Sequence, residues 1–96
     1  MGDVVVQDQP GKQRYEAFLG DELVGFAAYE LTPGLVVFTH TEVDEAFEGR
    51  GVGGALVQGA LDDVRRAGDR KVQPRCPFVA SWIAEHPDYQ DLVAAA

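Results

Sequence analysis

Hydrophobic and polar positions change their spacing once along the chain, near Gly49. Before it, apolar residues come in short runs broken by turn signals. Val4-Val5-Val6 is a β-branched run that stops at Gln9-Pro10-Gly11, and Arg14 to Leu19 resumes with partial alternation. Gly20-Asp21 marks the next turn. Leu23 to Leu31 is almost continuously apolar, which predicts a central strand covered on both faces. Thr32-Pro33-Gly34 then turns the chain into a fourth strand, Leu35 to Val43. Connections this short predict an antiparallel four-strand meander.

After Gly49 the period becomes helical. Val52, Leu56, Leu61 and Val64, with Ala55, Ala60 and Ala67 between them, place one apolar stripe on a helix over about 51–67, and Gly68 is its expected stop. Lys71 to Cys76 is short enough for one more strand, returning parallel to the fourth. Residues 35–76 then form a right-handed βαβ unit. Pro77 opens a second helix with Phe78, Trp82 and Ile83 apolar. It ends before His86-Pro87, and a last helical turn runs from about Tyr89 to Val93. The expectation is a mixed α/β (α+β) fold: a meander, a βαβ unit and C-terminal helices.

Composition narrows the partners. Ninety-six residues, 46% of them hydrophobic, support one domain over residues 1–96 and one core, so any site must share that core. A single cysteine excludes an internal disulfide framework and a multi-cysteine zinc site, and no metal site is expected. With no signal segment visible, it points to a reducing cytoplasm. Sixteen acids against eight bases disfavour nucleic acid, and no apolar run is long enough for a membrane span. The charge is also uneven. Residues 1–48 hold ten acids and two bases, whereas residues 49–96 hold six of each, so the whole net charge of −8 sits in the first half.

The candidate chemistry starts at Glu48-Gly49-Arg50-Gly51-Val52-Gly53-Gly54, which joins a strand to a helix. Glycines there let a ligand approach the backbone, and the unpaired N–H groups of a helix start favour phosphate. Gly49, Gly51 and Gly54 also fit the spacing of the dinucleotide fingerprint. That motif opens a parallel sheet with several further βα units, and here a meander precedes it and one strand follows. A P-loop requires Gly-Lys-Ser/Thr where this chain reads Gly-Gly-Ala. The glycines could also merely shape the turn, although four in six positions exceed what a turn needs.

Strand, then Arg50-Gly51-Val52-Gly53-Gly54-Ala55-Leu56 opening an amphipathic helix, then strand, resembles the acetyl-coenzyme A signature of the GNAT superfamily of N-acetyltransferases. The resemblance covers about residues 35–76. It implies that the backbone amides of Gly49, Arg50, Gly51, Val52, Gly53 and Gly54 hold the cofactor's pyrophosphate, and that the strand edge at Thr41-Glu42-Val43 pairs with its pantetheine arm. The family pattern begins with Gln or Arg where this chain has Glu48. The chain is similar to a compact GNAT-like subgroup with His-Thr-x-Val on the fourth strand and a cysteine before the next helix. These are present as His40-Thr41-Glu42-Val43 and Arg75-Cys76-Pro77. That subgroup lacks the helical pair after the first strand, and only Gln7 to Gln13 separates the first two strands here. The acceptor side is then open, which suits an amine on a large molecule.

Acetyl transfer needs a neutral amine, a polarised thioester and a proton source for the leaving thiolate. The superfamily commonly places an acidic base on the fourth strand, but Leu35 to Thr39 contains no acid. His40 or Glu42 must then act. Alternation puts these two on one face, with Thr39, Thr41 and Val43 on the other. His40 could equally be a histidine satisfied within the sheet. Cys76 precedes Pro77 and so falls at a helix N-cap, where the dipole favours an anionic sulfur. The resemblance implies that it is catalytic or lines the cofactor, and the alternative is a small buried hydrophobe. Tyr89 is a candidate acid. Phe78 and Trp82 suit either a core or packing on the cofactor arm. Arg65, Arg66, Arg70, Lys71 and Arg75 form a basic cluster that could meet a 3′-phosphate or simply be solvated. The expected activity is transfer from acetyl-coenzyme A to a primary amine such as a lysine or polyamine. A non-catalytic coenzyme A-binding module is the alternative.

Overall fold

Turn glycines let the first half of the chain fold back on itself. In the computed structural model, which describes residues 3–94, Gly20 and Gly34 adopt φ of +60° and +76° between strands. A side chain there would strain the backbone. With the Pro10–Lys12 turn after the first strand, these turns join β1 (Val5–Gln9), β2 (Arg14–Leu19), β3 (Glu22–Thr32) and β4 (Leu35–Val43) into an antiparallel meander. β5 (Lys71–Pro74) adds to β4 in parallel, giving the order β1-β2-β3-β4-β5.

The crossover between β4 and β5 is α1 (Val52–Ala67), closed by Gly68 at φ +74°. Its apolar stripe buries Val52, Leu56, Val57, Ala60, Leu61 and Val64 against Tyr15, Ala17, Ala27, Tyr29 and Phe38 of the sheet. Each fully buried Leu or Val there contributes roughly 1.5–3 kcal/mol. α2 (Pro77–Ala84) adds Val79 and Ile83 to the same core.

Four features depart from the pattern of the sequence. β3 is central, but one face alone is fully buried, and Leu23 and Leu31 remain exposed at its ends. β5 stops at Pro74 because the Phe38 carbonyl accepts both the Arg75 and Cys76 amides, at 3.0 and 2.9 Å, and this draws the chain away from the ladder. The C-terminal turn is a 3₁₀ helix over Pro87–Leu92, after which Val93 bridges to Val72 beside β5.

The fourth feature positions the site. Tyr29 faces Phe38 and Ala28 faces His40, so Thr39 is an extra residue in β4. Strict alternation would place Phe38, His40 and Glu42 on one face. The bulge shifts the parity, so Phe38 stays in the core while Thr41 and Val43 take the helix side and His40 and Glu42 turn away from it. The β4–β5 ladder also ends at Phe38 and Pro74. Beyond it, among the described residues, β4 pairs with β3 alone, and its other edge faces the glycine loop.

Candidate active site

The glycine loop works through its backbone. Gly49 and Gly51 adopt φ of +79° and +80°, and Gly51 is the N-cap of α1. The first intrahelical bond of α1 runs from the Ala55 amide to the Gly51 carbonyl at 3.0 Å. The N–H groups of Val52, Gly53 and Gly54 therefore lack helical acceptors and, with the positive end of the dipole, suit an anion. Arg50 differs from expectation. Its amide donates to the Phe47 carbonyl at 3.4 Å, and its guanidinium lies 5.6 Å from the Phe47 ring, so its N–H is spent on the turn.

A cleft of about 390 Å³ separates this loop from the free edge of β4. β4 supplies Thr41 and Val43, the loop Phe47, Glu48, Gly49 and Gly51, α1 its residues Val52 to Gly54, and α2 the ring of Phe78. Every expected cofactor residue except Arg50 lines this space. Phe78 is 46% exposed, so it belongs to the cleft and not to the core. Gly53 makes that placement feasible, because a Cβ there would stand 2.7 Å from Phe78 Cζ. Three of the four glycines thus have a local structural reason: two positive φ values and one close approach. A Cβ on Gly54 would meet Trp82 Nε1 at an ordinary 3.5 Å.

Cys76 is the N-cap of α2, as expected, but it is buried and does not line the cleft. Its Sγ lies 3.4 Å from Thr41 Oγ1, one side chain behind the cleft wall. His40 and Glu42 share a face, with Nε2 3.3 Å from Oε1 and both side chains well exposed. Beside them an acidic groove of about 550 Å³ runs along the ends of β3 and β4, where Glu42, Asp44, Glu45 and Glu48 line it with Phe26. Thr41, Val43 and Glu48 line both spaces, so the groove adjoins the cleft across β4.

The remaining candidates lie elsewhere. Tyr89 donates to Asp62 at 2.7 Å, while Tyr15 and Tyr29 donate to Asp63 and Asp8 at 2.8 and 2.6 Å, so all three tyrosines of the chain are engaged away from the cleft. Burial and then these hydrogen bonds push the Tyr15 and Tyr29 phenols well above the usual range. Four bases of the cluster are engaged locally. Arg65 holds Asp91 and the Asp88 carbonyl, Lys71 the Asp91 carbonyl, Arg66 pairs with Asp63 and Arg70 with Asp69. None of the five bases lines the cleft. Phe47 and Phe26 were not singled out by sequence. Phe47's place between strand and glycine loop was the available signal, whereas Phe26 is linked to His40 only by cross-strand register. Among the described residues no cluster of His, Cys, Asp and Glu could hold a metal, and no helix is long and apolar enough to cross a membrane.

The family model described as GCN5-related N-acetyl-transferase matches residues 14–92. The chain belongs to the GCN5-related N-acetyltransferase family. Within it, the fold is similar to the crystal structure of a ribosomal-protein-alanine N-acetyltransferase from Brucella melitensis biovar Abortus 2308, with a TM-score of 0.58 and 25% identity. The match covers 86% of this chain and 63% of that one, so the chain spans under two thirds of that protein's length. No curated protein matches the chain in sequence.

Proposed function

We propose that this chain is an acetyl-coenzyme A-dependent N-acetyltransferase acting on a primary amine of a cationic acceptor, an exposed lysine or a polyamine. The observation that carries it is the free edge of β4 beyond Phe38, set against a helix start whose Val52, Gly53 and Gly54 amides have no helical acceptor. The residues fit an extended diphosphate ligand. Unpaired N–H groups suit the diphosphate, the β4 edge at Thr41 and Val43 suits an amide-bearing arm, and the exposed Phe78 ring suits its apolar contacts. Glu48 is the exception, since a carboxylate on this wall opposes an anion.

When bound, acetyl-coenzyme A supplies an activated thioester. The protein's part is to orient it and to handle the amine's proton. His40 Nε2 lies 3.3 Å from Glu42 Oε1; in this reading Nδ1 accepts that proton and Glu42 stabilises the resulting imidazolium. Cys76 is buried behind Thr41, which favours direct transfer over an acyl-cysteine and gives the thiol the role of orienting the Thr41 hydroxyl. The acceptor approaches from the acidic groove. A three-residue turn, Pro10–Lys12, joins β1 to β2, so no helix stands over this side between them. The structural neighbour is named for alanine on a ribosomal protein, which supports an amine carried by a macromolecule.

A second reading is a coenzyme A-binding module without turnover. It is favoured by the three tyrosines, all engaged away from the cleft. The two part in one experiment. The protein is incubated with acetyl-coenzyme A and an amine panel including a lysine peptide and spermidine, while free thiol release is followed. Release that depends on amine supports the enzyme, binding without release supports the module, and absence of binding sinks both.

A further inference from the structure

The sheet face opposite α1 carries an ordered row of side chains that ends at His40. Register places Arg14, Ala28 and His40 side by side across β2, β3 and β4, and Glu16, Phe26 and Glu42 in the adjacent row. Glu16 is the one buried charged residue among those described, at 3% exposed. A carboxylate out of water on a sheet surface is unfavourable unless paired. Its Oε2 accepts from Arg14 Nε at 2.7 Å and forms an ion pair with the guanidinium, Nη2 lying 2.5 Å and Lys12 Nζ 3.8 Å away. The pairing fixes the Arg14 guanidinium 4.6 Å over the Phe26 ring. Ala28, which separates Arg14 from His40 in register, offers only a methyl group, and the Phe26 ring reaches His40 with centroids 6.0 Å apart.

This arrangement matters because the His40 side chain is 59% exposed and an imidazole on an open strand face would otherwise sample several rotamers. We propose that Phe26, braced by the Arg14–Glu16 pair, is a positioning residue that holds the His40 imidazole against Glu42. The placement is a property of the free protein. Its catalytic consequence rests on the assignment of His40 as proton acceptor.

The test therefore has two arms. The first is proton NMR of the free protein. In the native chain, nuclear Overhauser contacts connect the His40 ring to Glu42. In Phe26→Leu, which keeps an apolar strand side chain, these contacts disappear while those between His86 and Trp82, stacked at 3.7 Å, persist as the internal control. Retention of the His40–Glu42 contacts in Phe26→Leu overturns the proposal. Arg14→Gln, a milder change at the far end of the row, weakens them in the same direction.

The second arm uses acetyl-coenzyme A with spermidine and with a lysine peptide. Phe26→Leu lowers kcat about tenfold with the KM for acetyl-coenzyme A unchanged, and adds no further loss in a His40→Ala background. Additive losses refute the positioning role. Native turnover in His40→Ala removes the proton-acceptor assignment, and the NMR arm then decides the placement by itself.

Discussion

Replacing Gly53 by alanine separates folding from ligand binding in one position. The new Cβ would stand 2.7 Å from Phe78 Cζ and 3.2 Å from Cε2, whereas ordinary contact begins at 3.4 Å, so the ring must retreat by about 0.7 Å. Phe78 is 46% exposed and free to move outward or into the cleft, so this displacement costs the fold little. In the first turn of α1, alanine in place of glycine favours the helix by up to about 1 kcal/mol. The net expectation is a Tm that holds or rises by a few degrees. Binding moves the other way. The ring and the new methyl group narrow the cleft between Val52 to Gly54 and Thr41, and the affinity for coenzyme A falls at least tenfold, about 1.4 kcal/mol. Calorimetric titration with coenzyme A beside a thermal melt reads both. Native affinity with an unchanged Tm would show that the cleft is not the coenzyme A site. A fall in Tm beyond about 8 °C, more than 1 kcal/mol for a chain this size, would mean that Phe78 cannot yield and that its contact belongs to the core. Gly51→Ala gives the contrast, because φ of +80° there strains any side chain and lowers stability by about 1–2 kcal/mol.

Three other outcomes follow from the geometry. Cys76→Ser keeps a polar partner for Thr41 and retains most of kcat, whereas Cys76→Ala lowers it; an acetylated Cys76 in intact-mass spectra during turnover would establish the acyl-enzyme route instead. Stability declines above about pH 10: the Tyr15 and Tyr29 phenols titrate higher folded than unfolded, so their contribution is complete below the unfolded value and is lost as pH rises, at about 1.4 kcal/mol per unit for each group. Urea unfolding at pH 8 and pH 11 measures this, and the alkaline loss should shrink in Tyr29→Phe; an equal loss there would count against the assignment. High salt raises the acceptor's KM more than that of acetyl-coenzyme A if the groove of Glu42, Asp44, Glu45 and Glu48 attracts a cationic amine, and an unchanged acceptor KM contradicts it.

Local chemistry by itself determined the element order, the turn glycines, the α1 stripe and the glycine loop, because each depends on neighbours within about one turn or one hairpin. The pairing of His40 with Glu42 was legible too, since alternation beyond a bulge still holds from residue to residue. Long-range effects were not. The bulge at Thr39 appears only when β3 and β4 are laid in register, and it lets Phe38 stay in the core while Thr41 and Val43 face the cleft. The same holds for Cys76. Its place before Pro77 predicted an N-cap, but the Phe38 carbonyl, taking two amides from β5's end, is what seats the thiol behind Thr41. The basic cluster, open in sequence between a solvated face and a phosphate contact, has Arg65 and Lys71 engaged by Asp88 and Asp91, which the C-terminal turn brings to them. Phe26 carried no motif at all. Its relation to Arg14 and His40 exists only across three strands, where a register no single strand encodes decides which side chains meet.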